Sequence, residues 1–165
     1  MSLTFIPMDE ASARAVTQWQ YEAPYNVYNV APDEDIEEVV AYLLDPQNGF
    51  YALRGVLDNG SQEELLAYCS FGLDAQVAGG DYSRNALDIG LGLRPDLTGQ
   101  GRGLTFVEAI LDFARQAFTP AAFRVTIAAF NERAQRVWQR AGFRQTHTFH
   151  RQHDGQPFVI LIQDA

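Results

Sequence analysis

Alternating apolar and polar positions mark a strand in the middle of the chain. From Leu87 to Leu93 every odd position is Leu or Ile, and the even positions are Asp88, Gly90 and Gly92. A period of two is typical of a strand with one packed face. The opposite face has almost no side chains, which predicts that another group approaches the backbone closely there.

A glycine-rich loop and a helix follow this strand. Apolar residues recur every three or four positions from Leu104 to Phe118, as they do on one face of a helix. Gly99, Gly101 and Gly103 precede this run at alternate positions. Free amides at a helix start bind anions, because the positive end of the helix dipole lies behind them. The pattern predicts a phosphate-binding loop, to which Arg102 adds positive charge.

The loop differs from two common nucleotide-binding motifs. A P-loop requires Lys after its second glycine, whereas all twelve Lys and Arg residues of this chain are Arg. A dinucleotide-binding fold requires Gly-x-Gly-x-x-Gly at its first strand-to-helix turn. Here the spacing is Gly-x-Gly-x-Gly, more than halfway along the chain, so both motifs are excluded.

The remaining pattern predicts one α/β domain over residues 1–165. Asp9 and Asp33 are the predicted N-caps of the first two helices, and residues 74–85 are predicted to form a flexible connection. Strands are predicted over residues 4–7, 50–57, 65–73, 87–93, 123–129, 143–151 and 158–163, and helices over residues 10–20, 34–44, 104–118 and 131–142.

Two segments carry a family resemblance. Thr98-Gly99-Gln100-Gly101-Arg102-Gly103, with the later segment from Asn131 to Phe143, resembles the GNAT superfamily of acetyl-CoA-dependent N-acetyltransferases. The resemblance implies an acyl-CoA N-acyltransferase fold of the α/β (α+β) class, in the element order βααβββαβαββ. In that fold a mixed, mostly antiparallel central sheet is flanked by helices.

The resemblance also implies a reaction. The acetyl group of acetyl-CoA passes to a primary amine of a small molecule or a peptide terminus, by direct attack in a ternary complex without a metal. The backbones of Leu91 and Leu93 are implied to pair with the pantetheine arm. The other implied coenzyme contacts are Gly99, Gln100, Gly101, Arg102, Gly103, Leu104, Asn131 and Trp138.

Two departures from the family pattern leave a second function open. Thr98 occupies a position where the family has Arg or Gln, and Trp138 occupies that of a Tyr that protonates the departing thiolate. An indole N–H is a donor only and cannot act as that acid; Trp138 fits equally well as a core aromatic. The alternative is a non-catalytic acyl-CoA-binding sensor or interaction protein.

Asp88 is the first candidate for the general base that deprotonates the amine. It lies on the bare face of the predicted strand, where many family members have an acidic base; the other interpretation is that Asp88 only ends the strand. The segment from Tyr21 to Asn29 is a candidate acceptor pocket, with Glu22, Tyr25 and Tyr28 as pocket residues or acids. The same tyrosines also fit a role in packing a long loop.

Charge excludes one class of partner. The net charge of −9 argues against nucleic-acid binding, which requires a basic footprint. Nine acids against one Arg lie between residues 33 and 64. They either steer a cationic amine toward the protein or form a solvated face that keeps it soluble.

Other features of the sequence bear on the cellular location, the state of Cys69, metal binding and oligomeric state. No apolar run approaches the ~20 residues of a membrane span, and no signal peptide is recognised, so a cytoplasmic location without membrane contact is expected. The single Cys69 is expected to be a buried structural thiol. His147 and His150 fall on opposite faces of a predicted strand, which argues against a metal site. The resemblance allows a homodimer.

Overall fold

The computed structural model describes residues 1–165 and contains seven strands and four α-helices. The helices are α1 (Glu10–Thr17), α2 (Ile36–Leu44), α3 (Gly103–Phe118) and α4 (Glu132–Arg140). The strands are β1 (Leu3–Pro7), β2 (Phe50–Gly55), β3 (Glu64–Phe71), β4 (Leu87–Leu93), β5 (Ala122–Ala128), β6 (Arg144–His150) and β7 (Pro157–Asp164). The predicted element order is confirmed, and β4 has the predicted bounds.

The strands are hydrogen-bonded in the order β1-β2-β3-β4-β5-β7-β6. β1 runs antiparallel to β2, and β7 runs antiparallel to both β5 and β6. β4 and β5 are parallel, and their pairing comprises only Leu87 with Phe123 and Asp88 with Arg124. The predicted α/β class with a mixed, mostly antiparallel sheet and flanking helices is confirmed.

The chain forms two compact units, and the prediction of one domain over residues 1–165 stays a prediction. The first unit comprises Met1–Cys69 and Leu91–Thr98. Its core contains Ala13 of α1, Val40 and Leu43 of α2, and Phe50 and Ala52 of β2. These helices are amphipathic, so burying one face of each removes apolar surface from water.

The second unit comprises Ser70–Gly90 and Gly99–Ala165. The apolar face predicted for α3 is its buried face, with Val107, Ile110, Leu111 and Ala114 at or near full burial. Phe106, outside the predicted stripe, is buried too. Apolar residues of β5 and β7 complete the core of this unit.

The N-cap of α2 is Asp35, so the prediction of Asp33 was wrong. The Asp35 carboxylate accepts a hydrogen bond from the Glu37 amide at 2.9 Å. The preceding residues are taken up by a separate turn, in which the Glu34 amide donates to the Ala31 carbonyl at 3.0 Å. A local turn therefore delays the start of the helix by two residues.

Residues 74–85 are held by hydrogen bonds, which the prediction of a flexible connection did not foresee. The Val77 amide donates to the Tyr82 hydroxyl at 2.8 Å, and the Gln152 amide donates to the Ala78 carbonyl at 3.0 Å. Gly79 lies so close to β6 that an added Cβ would be 2.8 Å from the His150 carbonyl oxygen. No helix of the protein is long and apolar enough to span a bilayer.

Candidate active site

The glycine loop before α3 has a backbone that side chains disfavour. Gly99 and Gly101 have φ angles of 69° and 73°, in the left-handed region, where an L-residue costs about 1–2 kcal/mol. Arg102 returns to right-handed geometry. Alternation of this kind turns successive N–H groups toward one concavity, which binds anions. Both glycines are exposed, so a ligand has access to these amides.

The start of α3 is uncapped, unlike those of the other helices. Asp9, Asp35 and Asn131 each accept a hydrogen bond from an amide at the start of α1, α2 and α4. In α3 the N-cap position is Arg102, which makes no such bond, and the first turn has no acidic residue. The first amides of a 16-residue helix are thus left to solvent or to a ligand.

Two further residues shape the loop, and sequence analysis missed one of them. An added Cβ at Gly103 would lie 3.1 Å from Val137, so this glycine permits α3 to begin close against α4. The Arg133 guanidinium lies beside Gly99, 3.4 Å from an ideal Cβ position. Arg133 is therefore a second cation near the loop besides Arg102. Arg133 lies two residues after Asn131. Sequence alone could not link it to the loop, because the link depends on the approach of α4 to α3.

The residues predicted on α4 have roles in its own structure. The Asn131 side chain caps the helix by accepting from the Ala134 amide at 3.0 Å. Trp138 is only 5% exposed and packs edge-on against Phe143, with ring centroids 5.0 Å apart. Thr98, the other departure from the family pattern, donates its hydroxyl proton to the Pro95 carbonyl at 2.7 Å. Coenzyme contacts of Asn131 and Trp138 stay predictions.

The bare face of β4 is occupied by side chains of β3. An added Cβ at Gly92 would lie 2.1 Å from the Tyr68 ring, and one at Gly90 would lie 2.5 Å from the Ser70 hydroxyl oxygen. The glycines are therefore required by the neighbouring strand, whatever else binds there. The predicted close approach is real, but the groups that make it belong to the protein.

Asp88 lies in a buried ion pair. Its two carboxylate oxygens accept from Arg124 Nε at 2.6 Å and Nη2 at 2.8 Å, and Gln76 donates to the second oxygen at 2.9 Å. The side chains of Asp88 and Arg124 are 5% and 2% exposed. Both oxygens of this buried carboxylate are thus already engaged by donors of the protein, which leaves little room for an amine to reach them. The base role of Asp88 stays a prediction, and this geometry weighs against it.

Arg124 has its other contacts within the same unit. Its Nη1 donates to the Arg84 carbonyl at 2.8 Å, and its guanidinium lies 4.9 Å from the centre of the Tyr82 ring. The hydrogen bonds that Arg124 donates to Asp88 raise the pKa of Arg124, although burial opposes this. The pair forms part of the wall of a depression that Gln76 also lines. Each polar side-chain atom of the pair therefore has at least one hydrogen-bond partner within the protein.

The candidate acceptor segment contains a short 3₁₀ turn, Tyr25–Tyr28. Tyr25 is half-buried, whereas Tyr28 is 48% exposed. Glu22 is exposed, and its carboxylate makes no hydrogen bond or ion pair within the protein. Leu91 and Leu93 are half-buried in β4, and the Leu93 carbonyl accepts a hydrogen bond from the Tyr21 hydroxyl at 2.7 Å. All of these residues belong to the first unit.

Other titratable candidates lie apart from this chemistry. Cys69 is fully buried in β3, as expected, and burial raises the pKa of its thiol. His147 lies at an exposed position 3.7 Å from Asp81. No three His, Cys, Asp or Glu side chains converge as they would around a metal ion.

The sequence profile of the acetyltransferase (GNAT) domain matches residues 2–144. The chain belongs to the GNAT acetyltransferase family. It is therefore an N-acetyltransferase that uses acetyl-CoA as its acyl donor. No curated protein sequence matches this GNAT acetyltransferase.

Solved structures share the fold of this acetyltransferase at low identity. A spermidine N-acetyltransferase chimera of Vibrio cholerae SpeG and hSSAT is 14% identical, with a TM-score of 0.73 over 99% of this chain and 96% of that chain. AAC(6')-Ib in complex with paromomycin and acetyl-CoA is 20% identical, with a TM-score of 0.73 over 99% and 94%. A GNAT acetyltransferase from Bacillus anthracis is 13% identical, with a TM-score of 0.72 over 99% and 95%.

Proposed function

We propose that this GNAT acetyltransferase transfers the acetyl group of acetyl-CoA to a primary amine of a small cationic molecule. The observation that carries the proposal is the uncapped start of α3 behind the left-handed glycines Gly99 and Gly101. Every other helix satisfies its first amides with its own cap. The uncapped amides of α3 support the proposal that an anionic ligand such as the pyrophosphate of coenzyme A binds there.

The residues present suit that pyrophosphate. Gly99, Gln100, Gly101, Arg102, Gly103 and Leu104 supply backbone amides, and Arg102 and Arg133 supply charge. The first turn of α3 holds no carboxylate that would repel an anion. The backbones of Leu91 and Leu93 are the proposed partners of the pantetheine arm. A carbonyl oxygen has two lone pairs, so the bond from Tyr21 leaves one acceptor site on Leu93.

The chain's own residues must help the amine to lose a proton. An amine with a pKa of ~10.4 is charged at pH 7, and its neutral form costs about 4.6 kcal/mol there. We propose Glu22 as the acceptor of that proton, directly or through water, because its carboxylate is exposed and has no partner in the protein. Asp88 is the second candidate for this base. We rank it after Glu22 because its carboxylate is held in an ion pair with Arg124.

Acetyl-CoA, when bound, supplies an activated acetyl group. Once Glu22 or water has taken one proton from the ammonium group, the neutral nitrogen forms a bond to the acetyl carbon as the carbon–sulfur bond breaks. A second proton then passes from the nitrogen to water. Trp138 cannot protonate the sulfur. A thiol with a pKa of ~8.5 leaves as thiolate near neutral pH at little cost, and water protonates it later.

A cationic acceptor is favoured by the distribution of charge. The first unit holds thirteen Asp and Glu against three Arg, and the second holds eight against nine. Spermidine and aminoglycosides, which are bound by proteins of the same fold, are amines of this class. The acidic unit attracts such molecules from solution.

A titration followed by a turnover assay tests the function. Wild-type protein is titrated with acetyl-CoA by calorimetry, and thiol release is then measured with spermidine, kanamycin, free amino acids and a short peptide. Saturable binding with release that depends on a cationic amine supports the proposal. Binding with release only on the peptide or amino acids would contradict the acceptor class, and binding without release on any amine would favour the sensor function. Absence of binding would overturn the assignment of the loop.

A further inference from the structure

The side chain of Asn29 closes part of the segment between α1 and α2 into a loop. The Tyr21 amide donates to Asn29 Oδ1 at 2.7 Å, and Asn29 Nδ2 donates to Gln20 Oε1 at 3.1 Å. Within the segment the Tyr25 amide donates to the Glu22 carbonyl at 2.8 Å, and the Asn29 amide donates to the Asn26 carbonyl at 3.1 Å. Residues 20–29 therefore form a compact loop with internal bonds of its own, which we call the 20–29 loop.

The 20–29 loop presents groups suited to recognition. Val27 and Tyr28 are 66% and 48% exposed, and Glu22 is exposed as well. An aliphatic group, an aromatic ring and a carboxylate on one ordered loop are groups that can bind an organic cation.

One hydroxyl ties the loop to the central strand. The Tyr21 phenol donates to the Leu93 carbonyl of β4 at 2.7 Å, across 72 positions of sequence. The bonds made by Asn29 hold the Tyr21 backbone at the base of the loop. Tyr21 therefore joins the loop, through its backbone, to the strand, through its hydroxyl.

We propose that Tyr21 is a positioning residue for the acceptor amine, because its hydroxyl fixes the 20–29 loop on β4 at Leu93. This inference rests on the proposed function, in which the loop contacts the acceptor and the Leu93 backbone contacts the pantetheine arm. Without the hydroxyl the loop keeps its internal bonds but loses its fixed place. The acceptor must then order the loop as it binds, which weakens the acceptor and not acetyl-CoA.

The test compares Tyr21→Phe with Tyr42→Phe. The first variant removes the hydroxyl that reaches Leu93, and the second removes the hydroxyl of Tyr42, a residue of α2 in the same unit that is 47% exposed. For Tyr21→Phe we expect the KM for spermidine, or for the best amine of the panel, to rise about tenfold, as for the loss of one hydrogen bond. The acetyl-CoA Kd should change by less than about twofold, within the usual effect of a neutral change. Tyr42→Phe should leave both constants unchanged.

Two further measurements separate this role from general damage. Amide hydrogen exchange of residues 21–29 should become faster in Tyr21→Phe, while α1 and α2 keep their protection. Asn29→Ala should raise the same KM, and the double variant should cost less than the two single effects combined, because both act on one loop.

The outcomes distinguish the two proposals. Wild-type turnover with an unchanged acceptor KM in Tyr21→Phe would overturn the positioning role alone. So would an equal rise in the acetyl-CoA Kd, or unchanged exchange in the loop. A wild-type protein that neither binds acetyl-CoA nor releases thiol would overturn the proposed function and this inference together.

Discussion

The ion pair between Asp88 and Arg124 limits the catalytic and structural roles that are open to either residue. Both charges are buried, and the Asp88 carboxylate is engaged by Arg124 and Gln76 together. A buried pair of this kind contributes little net stability compared with apolar residues, but breaking it leaves a charge without compensation. It lies at one of the two paired positions of β4 and β5, so it is a contact between parallel strands.

Replacing Asp88 tests structure against catalysis. We expect Asp88→Asn to lower the free energy of unfolding by about 3–5 kcal/mol, because Arg124 then keeps a buried charge without its counter-ion. Urea unfolding measures this. The matched control is Asp112→Asn, which breaks an exposed pair with Arg115 and should cost less than about 1 kcal/mol.

The Asp88→Asn variant also tests whether Asp88 is the general base. If Asp88 is structural, the folded fraction of Asp88→Asn keeps the wild-type pH dependence of kcat. Unchanged stability together with a kcat lowered by about a hundredfold or more would instead establish Asp88 as the base.

Single residues were the hardest features to predict from the sequence. The alternation of residues 87–93 fixed the face on which Asp88 lies, but Arg124 is 36 positions away, and no local pattern links the two. The glycines of β4 were also only partly informative. Their lack of side chains predicted that some group approaches the strand closely, but that these groups are Tyr68 and Ser70 depends on which strand pairs with β4.

At the scale of elements, we propose that the glycine loop and the start of α3 together bind the pyrophosphate of acetyl-CoA. Gly101 combines a left-handed φ of 73° with open space, since nothing lies within 4 Å of an added Cβ. A side chain there meets no protein atom, but it projects into the space that a bound anion needs. The loop thus offers a variant whose effect on binding is separable from packing.

Gly101→Glu should abolish acetyl-CoA binding. The added carboxylate repels the pyrophosphate and occupies its place, so we expect the Kd to rise about a hundredfold or more, as for an unpaired like charge. Gly155 is the matched control: its φ is also 73°, nothing lies within 4 Å of its added Cβ, and it lies in the turn between β6 and β7.

Calorimetry with acetyl-CoA on both variants gives the result. Gly155→Glu carries the same backbone strain of about 1–2 kcal/mol and should bind as the wild type does. Equal affinities for Gly101→Glu and wild type would mean that the pyrophosphate lies elsewhere. Equal losses in both variants would point to backbone strain instead of a local contact.

Elements were largely predictable, because their signals are local. Periodicity gave all seven strands and four helices in order, and Gly142 and Asn131 marked the ends of α4 as their chemistry requires. The errors lie at boundaries. Asp33 and Asp35 are equally good caps in sequence, and a turn closed between Ala31 and Glu34 selects the second.

The whole molecule is divided in charge. The first unit has an excess of ten negative charges, whereas the second, which holds the glycine loop, has an excess of one positive charge. Composition alone gave the net charge of −9 and the acidic stretch of residues 33–64. The assignment of residues to the compact units was needed to see that the glycine loop belongs to the unit that does not carry this excess.

This division predicts opposite effects of salt on the two substrates. The acidic unit attracts a polycationic amine and repels an anionic donor, and both effects fade as the screening length falls from about 10 Å at 0.1 M to 3 Å at 1 M salt. We expect kcat/KM for spermidine to fall about tenfold or more over that range. The kcat/KM for acetyl-CoA should fall less, or rise.

Variants that remove negative charges from one unit at a time test which carboxylates attract the amine. Asp33→Asn combined with Glu38→Gln removes two charges from the first unit and should flatten the salt dependence for spermidine. Asp112→Asn combined with Glu108→Gln removes two charges from the second unit on α3 and should leave the salt dependence as in wild type. Equal flattening by both pairs would mean that net charge alone steers the amine. A salt-independent kcat/KM in the wild type would leave the acidic unit a solubility feature, as its composition alone also allows.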